Sequence, residues 1–148
     1  MTEDKEYRQA EKVLKWYVRN VDESQKLMAE VSLLRDGGDV HGQSYEVHRG
    51  SGGISDPVAG YVSRLMSAEQ RLSGLMKVIL AVDRMRADLL SGNVITTTSP
   101  RNLYLVLEMH YVKGMSASAV VRVLRWSRSI FFVRRRELLS LTGEYLRG

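Results

Sequence analysis

Arginine side chains in the last third of the chain are the residues best suited to binding chemistry. Residues 101–148 carry nine Lys and Arg against three Asp and Glu, and eight of those nine cations are Arg. Residues 1–50 carry eight cations and ten acids, and residues 51–100 carry five and four. Guanidinium groups bind phosphates and guanine edges through paired hydrogen bonds. The local surplus therefore predicts an anionic partner, most simply nucleic acid, with a merely solubilising helix face as the alternative.

Other residue types that support catalysis or metal binding lack the required spacing. The chain has no Cys, which excludes disulfides, thiol nucleophiles and thiolate zinc sites. His41, His48 and His110 do not have metal-ligand spacing. The Gly-rich run 49–53 lacks the Gly-Lys-Ser/Thr ending of a phosphate loop, and the N-terminal acids alternate with Lys and Arg as in solvated helix pairs. We expect no catalytic site, no metal and no cofactor.

Two long helices are predicted ahead of the basic segment. Apolar residues recur at alternating spacings of three and four over residues 5–35 and again over 56–92, which is typical of helices that pack through a seam. Asp56 suits an N-cap, Pro57 the first helical turn, and Gly92 the end of the helix. The matching seams favour an antiparallel hairpin, a coiled-coil dimer, or both. Gly74 indicates a close helix approach or a mild bend.

Between and after these helices the sequence predicts a linker and a terminal domain. Residues 36–55 hold half of the chain's twelve glycines and show no sustained period, which predicts a flexible linker. The predicted division is therefore a helix over 1–35, the linker over 36–55, a helix over 56–92 and a C-terminal domain over 99–148.

The spacing is most specific after residue 99. Ser99-Pro100 begins a helix that ends near Gly114, Ser116 caps a short helix, and Ser127 caps a longer one after the turn Arg125-Trp126. This is the pattern of a helix-turn-helix, in which a buried residue after the turn fixes the crossing angle. We expect Trp126 to be that buried residue. The apolar side of the last helix is predicted to contain Phe131, Leu138, Leu141 and Tyr145.

The segment YVKGMSASAVVRVLRWSRSIFFVRRRELLSL resembles region 4 of sigma-70-type factors. The Tyr-x-x-Gly-x-Ser lead-in and Ser127-Arg128-Ser129 carry most of the likeness. With the long helices and Ser55-Asp56-Pro57 before it, the chain resembles phage-encoded late transcription regulators of the ArpU and RinA kind, more in layout than in identities there. The resemblance implies an all-α fold: a long helical hairpin or coiled coil followed by a sigma-region-4-like helix-turn-helix. Val121 and Arg125 depart from the usual Ala and Gly, and Arg134 replaces an apolar residue.

The resemblance also implies a sequence-specific DNA-binding transcription regulator of phage or prophage late genes, with helix 127–146 in the major groove. The residues expected to contact base edges are Arg128, Ser129, Phe132, Val133 and Arg136. Those expected to contact phosphates are Ser116, Arg122, Arg125, Ser127 and Arg135. For Phe132, a place in the core or a dimer interface is the stronger alternative. Successive helical residues are about 100° apart, so at most two of Arg134, Arg135 and Arg136 can face DNA together.

The expected partners are double-stranded DNA and a second copy of the chain, a dimer being favoured, with RNA polymerase as a further candidate. No stretch approaches the roughly 18 apolar residues of a membrane span, and the N-terminus is charged where a signal peptide is apolar. We expect a cytoplasmic protein of a bacterial host cell that contacts no membrane. Two alternatives stay open: a DNA-packaging protein resembling a small terminase subunit, and a helical module that binds RNA polymerase or a sigma factor.

Overall fold

The computed structural model describes residues 2–36 and 57–148, which contain helices and no strand. The helices are α1 (Thr2–Asp36), α2 (Pro57–Ser91), α3 (Pro100–Val106) with its π-helical continuation Leu107–Val112, α4 (Ala117–Leu124) and α5 (Arg128–Arg147). The predicted all-α class is confirmed. The predicted linker over 36–55 lies outside the described residues except for its first residue, which ends α1.

The described chain divides into two compact units. The first unit combines Met1–Asn20 with Lys77–Gly148, and the second is Val21–Met76. The first unit therefore contains the basic segment together with parts of α1 and α2, and it extends beyond the predicted C-terminal domain of 99–148.

The core of the second unit is small and apolar. It consists of Leu27, Val31 and Leu34 from α1 with Ala68 from α2, flanked by Tyr61, Leu65, Leu72 and Leu75. The apolar seam predicted for α1 runs through Ser24 and Met28, with Leu27 widening it; in the structure Leu27 is buried and Met28 is 44% exposed. Positions 27 and 28 lie on either side of one full turn after Ser24, and Leu27 is the one that packs against Ala68 of α2. A Cβ placed on Gly74 meets no atom within 4 Å, so the predicted close approach at Gly74 is absent among the described residues.

All five helices contribute buried side chains to the first unit. The buried apolar residues with less than 2% exposure are Ala10, Leu14, Val82, Met85, Leu89, Leu103, Val106, Leu107, Val120, Phe131 and Leu138. The buried hydroxyl of Thr142 donates to the carbonyl of Leu138 at 2.8 Å, as a buried polar group requires. The basic segment is thus folded onto both long helices rather than standing apart from them.

Arg125 and Arg134 shape the turn between α4 and α5. Arg125 adopts φ 58° and ψ 41°, the left-handed region that Gly enters most easily. The following N–H, from Trp126, donates to Val121 at 3.0 Å and closes the end of α4. Trp126 is half-buried, so the prediction of a buried residue here is only partly right. The guanidinium of Arg134 covers its ring at 4.3 Å and replaces the expected apolar contact.

Candidate nucleic-acid interface

The start of α5 is fixed by capping and by two buried side chains. Ser116 Oγ accepts from the N–H of Ala119 at 3.1 Å, and Ser127 Oγ accepts from the N–H of Ile130 at 3.1 Å. Each bond satisfies a helix N–H that has no partner within its helix. Val120 on α4 and Phe131 on α5 are fully buried. The caps and the core together determine which face of α5 remains outside.

That outer face carries all five residues predicted to contact base edges. Arg128, Ser129, Phe132, Val133 and Arg136 are exposed and repeat at spacings of one and three along α5, which places them on one strip of the helix surface. Phe132 is 42% exposed and Val133 65% exposed, so Phe132 does not belong to the core of this chain.

The segment of sequence that carries this strip contains no carboxylate. Residues 109–136 include seven cations and no Asp or Glu. The phosphate-contact candidates Arg122 and Arg125 are exposed and form no ion pair with another described residue. Arg128 donates to Ser118 Oγ at 3.4 Å and lies 5.9 Å from the centre of the Phe132 ring. These guanidinium groups remain available to an external anion.

The three consecutive arginines have three different surroundings. The guanidinium of Arg134 lies over the ring of Trp126. Arg135 is half-buried: it donates to the Glu11 carboxylate, and its Nε donates to the Tyr111 hydroxyl at 3.1 Å. Arg136 is exposed, 5.7 Å from the ring centre of Tyr7. Arg135 is therefore committed to an internal contact, in contrast to the other nine predicted contact residues, all of which are exposed.

Burial and charge act together on the groups around Arg135. Burial raises the pKa of Tyr111 to about 12. Burial acts to raise the pKa of Glu11, but Lys15 and Arg135 outweigh it and the pKa is lowered. Burial likewise acts to lower the pKa of Arg135, and contacts with Tyr111 and Glu11 outweigh it. At neutral pH this cluster holds an ionised Glu11, an ionised Arg135 and a neutral Tyr111.

His110 supports the lead-in to α4 from the inside. Its Nδ1 lies 2.8 Å from the carbonyl of Met115, so the ring donates from this nitrogen. The ring also makes edge contacts with Tyr111 and Phe131, at centroid distances of 4.7 and 5.3 Å. Burial lowers the pKa of His110, which keeps the ring neutral. The side chain of His110 therefore packs against its neighbours and positions the segment before α4, rather than serving as a metal ligand.

A groove of about 800 Å³ separates the outer strip of α5 from the first half of α1. Phe132, Val133 and Arg136 line its α5 side; Arg8, Lys12, Lys15 and Trp16 line its α1 side. Sequence reasoning missed the α1 side because residues 1–50 are slightly acidic in sum. The sequence does indicate a basic face on α1, because the cations of this helix recur at spacings of three and four.

Comparisons with known protein families, with curated proteins and with solved structures found no significant match. Among residues 2–36 and 57–148, no three His, Cys, Asp or Glu side chains are grouped so that they could hold a metal ion. In the same residues, none of the helices combines the length and the apolar character needed to cross a bilayer.

Proposed function

We propose that this protein is a sequence-specific DNA-binding transcription regulator whose helix α5 enters the major groove. In this proposal α4, the turn 125–127 and α5 form a helix-turn-helix. The observation that carries the proposal is the exposed strip at the start of α5, where arginines and a serine lie in a segment, residues 109–136, that contains no Asp or Glu. Such a surface complements base edges and phosphates together.

The proposed contacts follow from side-chain chemistry and position. Arg128 and Arg136 donate in pairs to guanine, Ser129 bonds to a base edge, and Phe132 and Val133 cover a thymine methyl. Eight residues separate Arg128 from Arg136, which is about 12 Å of helix, or roughly three to four base pairs at 3.4 Å each. Ser116, Arg122, Arg125 and Ser127 border the strip and bind phosphates in this proposal. Arg135 instead holds α5 against α1.

A strip of this length needs a second contact, because a single module buries only about 600–1,000 Å². We propose a dimer formed through the long helices α1 and α2, as a coiled coil or paired hairpins, which would read half-sites about 10 bp apart. The resemblance to phage late regulators of the ArpU and RinA kind supports this arrangement. The resemblance extends the proposal to control of late genes in a phage or prophage. The protein would then act in the cytoplasm of the host cell, where it can contact RNA polymerase.

The experiment is selection of bound duplexes from a random-sequence pool at roughly 150 mM salt, which suppresses binding through phosphates alone. We expect an enriched motif. Arg128→Ala and Arg136→Ala should each relax one position of it and cost about 1–3 kcal/mol of affinity for the preferred duplex. Arg101→Ala is the matched control, because Arg101 is an exposed arginine on α3.

Several outcomes would reject the proposal. An enriched motif that both α5 variants leave unchanged would mean that α5 does not read the bases. A protein that folds but selects no sequence, and that binds RNA polymerase in the absence of DNA, would be a helical interaction module. A ring of many more than two subunits in light scattering, with DNA bound inside, would indicate a packaging protein.

A further inference from the structure

The first half of α1 carries an ordered line of cations that the proposed reading helix does not use. Lys5, Arg8, Lys12, Lys15 and Arg19 are all exposed and follow one another at spacings of three and four. At 100° per residue these five positions fall within an arc of about 80°. They extend over 14 residues, about 21 Å of helix. The opposite side of the same segment, at Ala10, Leu14 and Tyr17, is buried. We call these five residues the α1 stripe.

The α1 stripe lies beside the start of α5. Glu6 pairs with Arg147 at 3.4 Å, and Glu11 pairs with Arg135. The first half of α1 therefore contacts the end of α5 through Glu6 and the middle of α5 through Glu11. Lys15 and Trp16 line the same groove as Phe132 and Val133. Three residues of the α1 stripe, Arg8, Lys12 and Lys15, thus border the same groove as the outer strip of α5.

The positive charge of the α1 stripe is largely uncompensated. Lys5, Arg8 and Lys12 form no ion pair among the described residues, and the Arg19 guanidinium lies 4.5 Å over the Trp16 ring. Lys15 pairs with Glu11 at 2.9 Å, but Glu11 also binds Arg135. The groove has one further carboxylate, Asp4, at the N-terminal end of α1 and away from the start of α5.

The shape of this surface matches a polyanion. Cations that recur about every turn over about 21 Å span the rise of roughly six base pairs, whereas a small anion would need donors converging on one point. From this geometry we infer that the α1 stripe is a second DNA contact, which holds phosphates beside the groove that α5 reads. This inference rests on the proposed function.

The test compares two variants with equal charge loss. Arg8→Gln with Lys12→Gln removes two cations from the α1 stripe, and Lys77→Gln with Arg84→Gln removes two exposed cations from α2. Duplex binding is measured from 0.1 to 0.4 M salt, on the selected sequence and on a random one. Each lost phosphate contact reduces the salt slope by about 0.9, so the stripe variant should lose about 1.8. At 150 mM salt that slope corresponds to roughly 30-fold weaker binding on both duplexes, with the enriched motif unchanged.

Further measurements separate this inference from the proposed function. Arg8→Lys with Lys12→Arg keeps the charges and should retain the wild-type slope. Ethylation of individual phosphates should identify two phosphates whose modification weakens duplex binding by the wild type. Modification of the same two phosphates should not weaken binding by the Arg8→Gln, Lys12→Gln variant. If the stripe and α2 variants behave alike while Arg128→Ala still relaxes the motif, the stripe inference is wrong and the proposed function stands. If the wild type binds no duplex, both are wrong, and capture of an acidic protein surface by the stripe would identify the alternative.

Discussion

Replacing Glu11 by Gln tests how helix α5 is held against α1. The Glu11 carboxylate binds Arg135 on α5 and Lys15 on its own helix, and Arg135 also donates to Tyr111. The side chains of Glu11 and Arg135 are only 20% and 27% exposed. Glu11→Gln keeps the shape of the side chain and removes its charge, leaving a half-buried guanidinium without a counter-ion.

The expected loss of unfolding free energy lies between two limits. Exposed ion pairs contribute about 0.2–1 kcal/mol, and breaking a fully buried pair costs about 3–5 kcal/mol. Because both side chains keep some exposure, and a hydrogen bond to a charged group contributes about 1.5–3 kcal/mol, we expect a loss of about 2 kcal/mol. That loss corresponds to a decrease in Tm of roughly 6 °C. Lys15→Gln should cost under about 0.5 kcal/mol, as an i,i+4 pair with a 60% exposed lysine.

The assay is urea unfolding followed by tryptophan fluorescence. The chain has two Trp, at positions 16 and 126, and both belong to the first compact unit, so the signal reports on the unit that contains α5. A cycle of Glu11→Gln, Arg135→Gln and the double variant gives the coupling free energy. We expect about 1.5 kcal/mol at pH 7.

The sign of the pH dependence follows from the lowered pKa of Glu11. The stabilisation is present above the unfolded-state pKa near 4.5 and is lost as the pH falls through the lower folded-state value. A coupling free energy within about 0.3 kcal/mol of zero at pH 7 would refute the reasoning, and Arg135 would again be a candidate phosphate contact.

Two further predictions concern the residues around α4. Because the pKa of His110 is lowered, the first unit loses stability as the pH falls below the unfolded-state value of about 6.5 and through the folded-state value. His110→Gln should therefore make the urea midpoint depend less on pH between pH 7 and 5. An unchanged pH dependence in this variant would contradict the lowered pKa of His110. Arg125→Gly should relieve the left-handed backbone and raise stability by about 1 kcal/mol, while Arg122→Gly inside α4 should lower it by about 1 kcal/mol. Both glycine variants should weaken DNA binding, and stability changes of the same sign would show that Arg125 is not strained.

Local signals in the sequence account for the helices that the structure contains. The helix predicted over 56–92 and the observed Pro57–Ser91 differ by one residue at each end, because a proline fits the first turn of a helix and Gly92, with φ 78°, easily leaves it. Ser116 and Ser127 act through an N–H three residues away. Such effects depend on near neighbours alone and can be predicted without knowledge of the fold.

Contacts between distant residues could not be predicted in the same way. Glu11 and Arg135 are 124 positions apart, and nothing in the spacing of either segment identifies the other. The burial of Leu27 in place of Met28 likewise depends on the phase at which α1 meets its neighbour. The α1 stripe is a different case, since its spacing is visible in the sequence. Summing charge over fifty residues conceals it, because eight of the ten acids in residues 1–50 lie outside the segment 5–19 that carries the stripe.

The position of α5 depends on more than the helix before it. Its middle is held by Glu137, whose carboxylate accepts from the backbone N–H groups of Thr97 and Thr98 at 2.6 and 3.0 Å. Its last turns contact α2, where Thr142 lies 3.4 Å from the sulfur of Met85 and Tyr145 bonds to Asp88. Together with the contact between α1 and Arg135, these bonds fix α5 along most of its length. Residues of the α1 stripe and of the outer strip of α5 border the same groove, so in our proposal a duplex that binds one of them also meets the other.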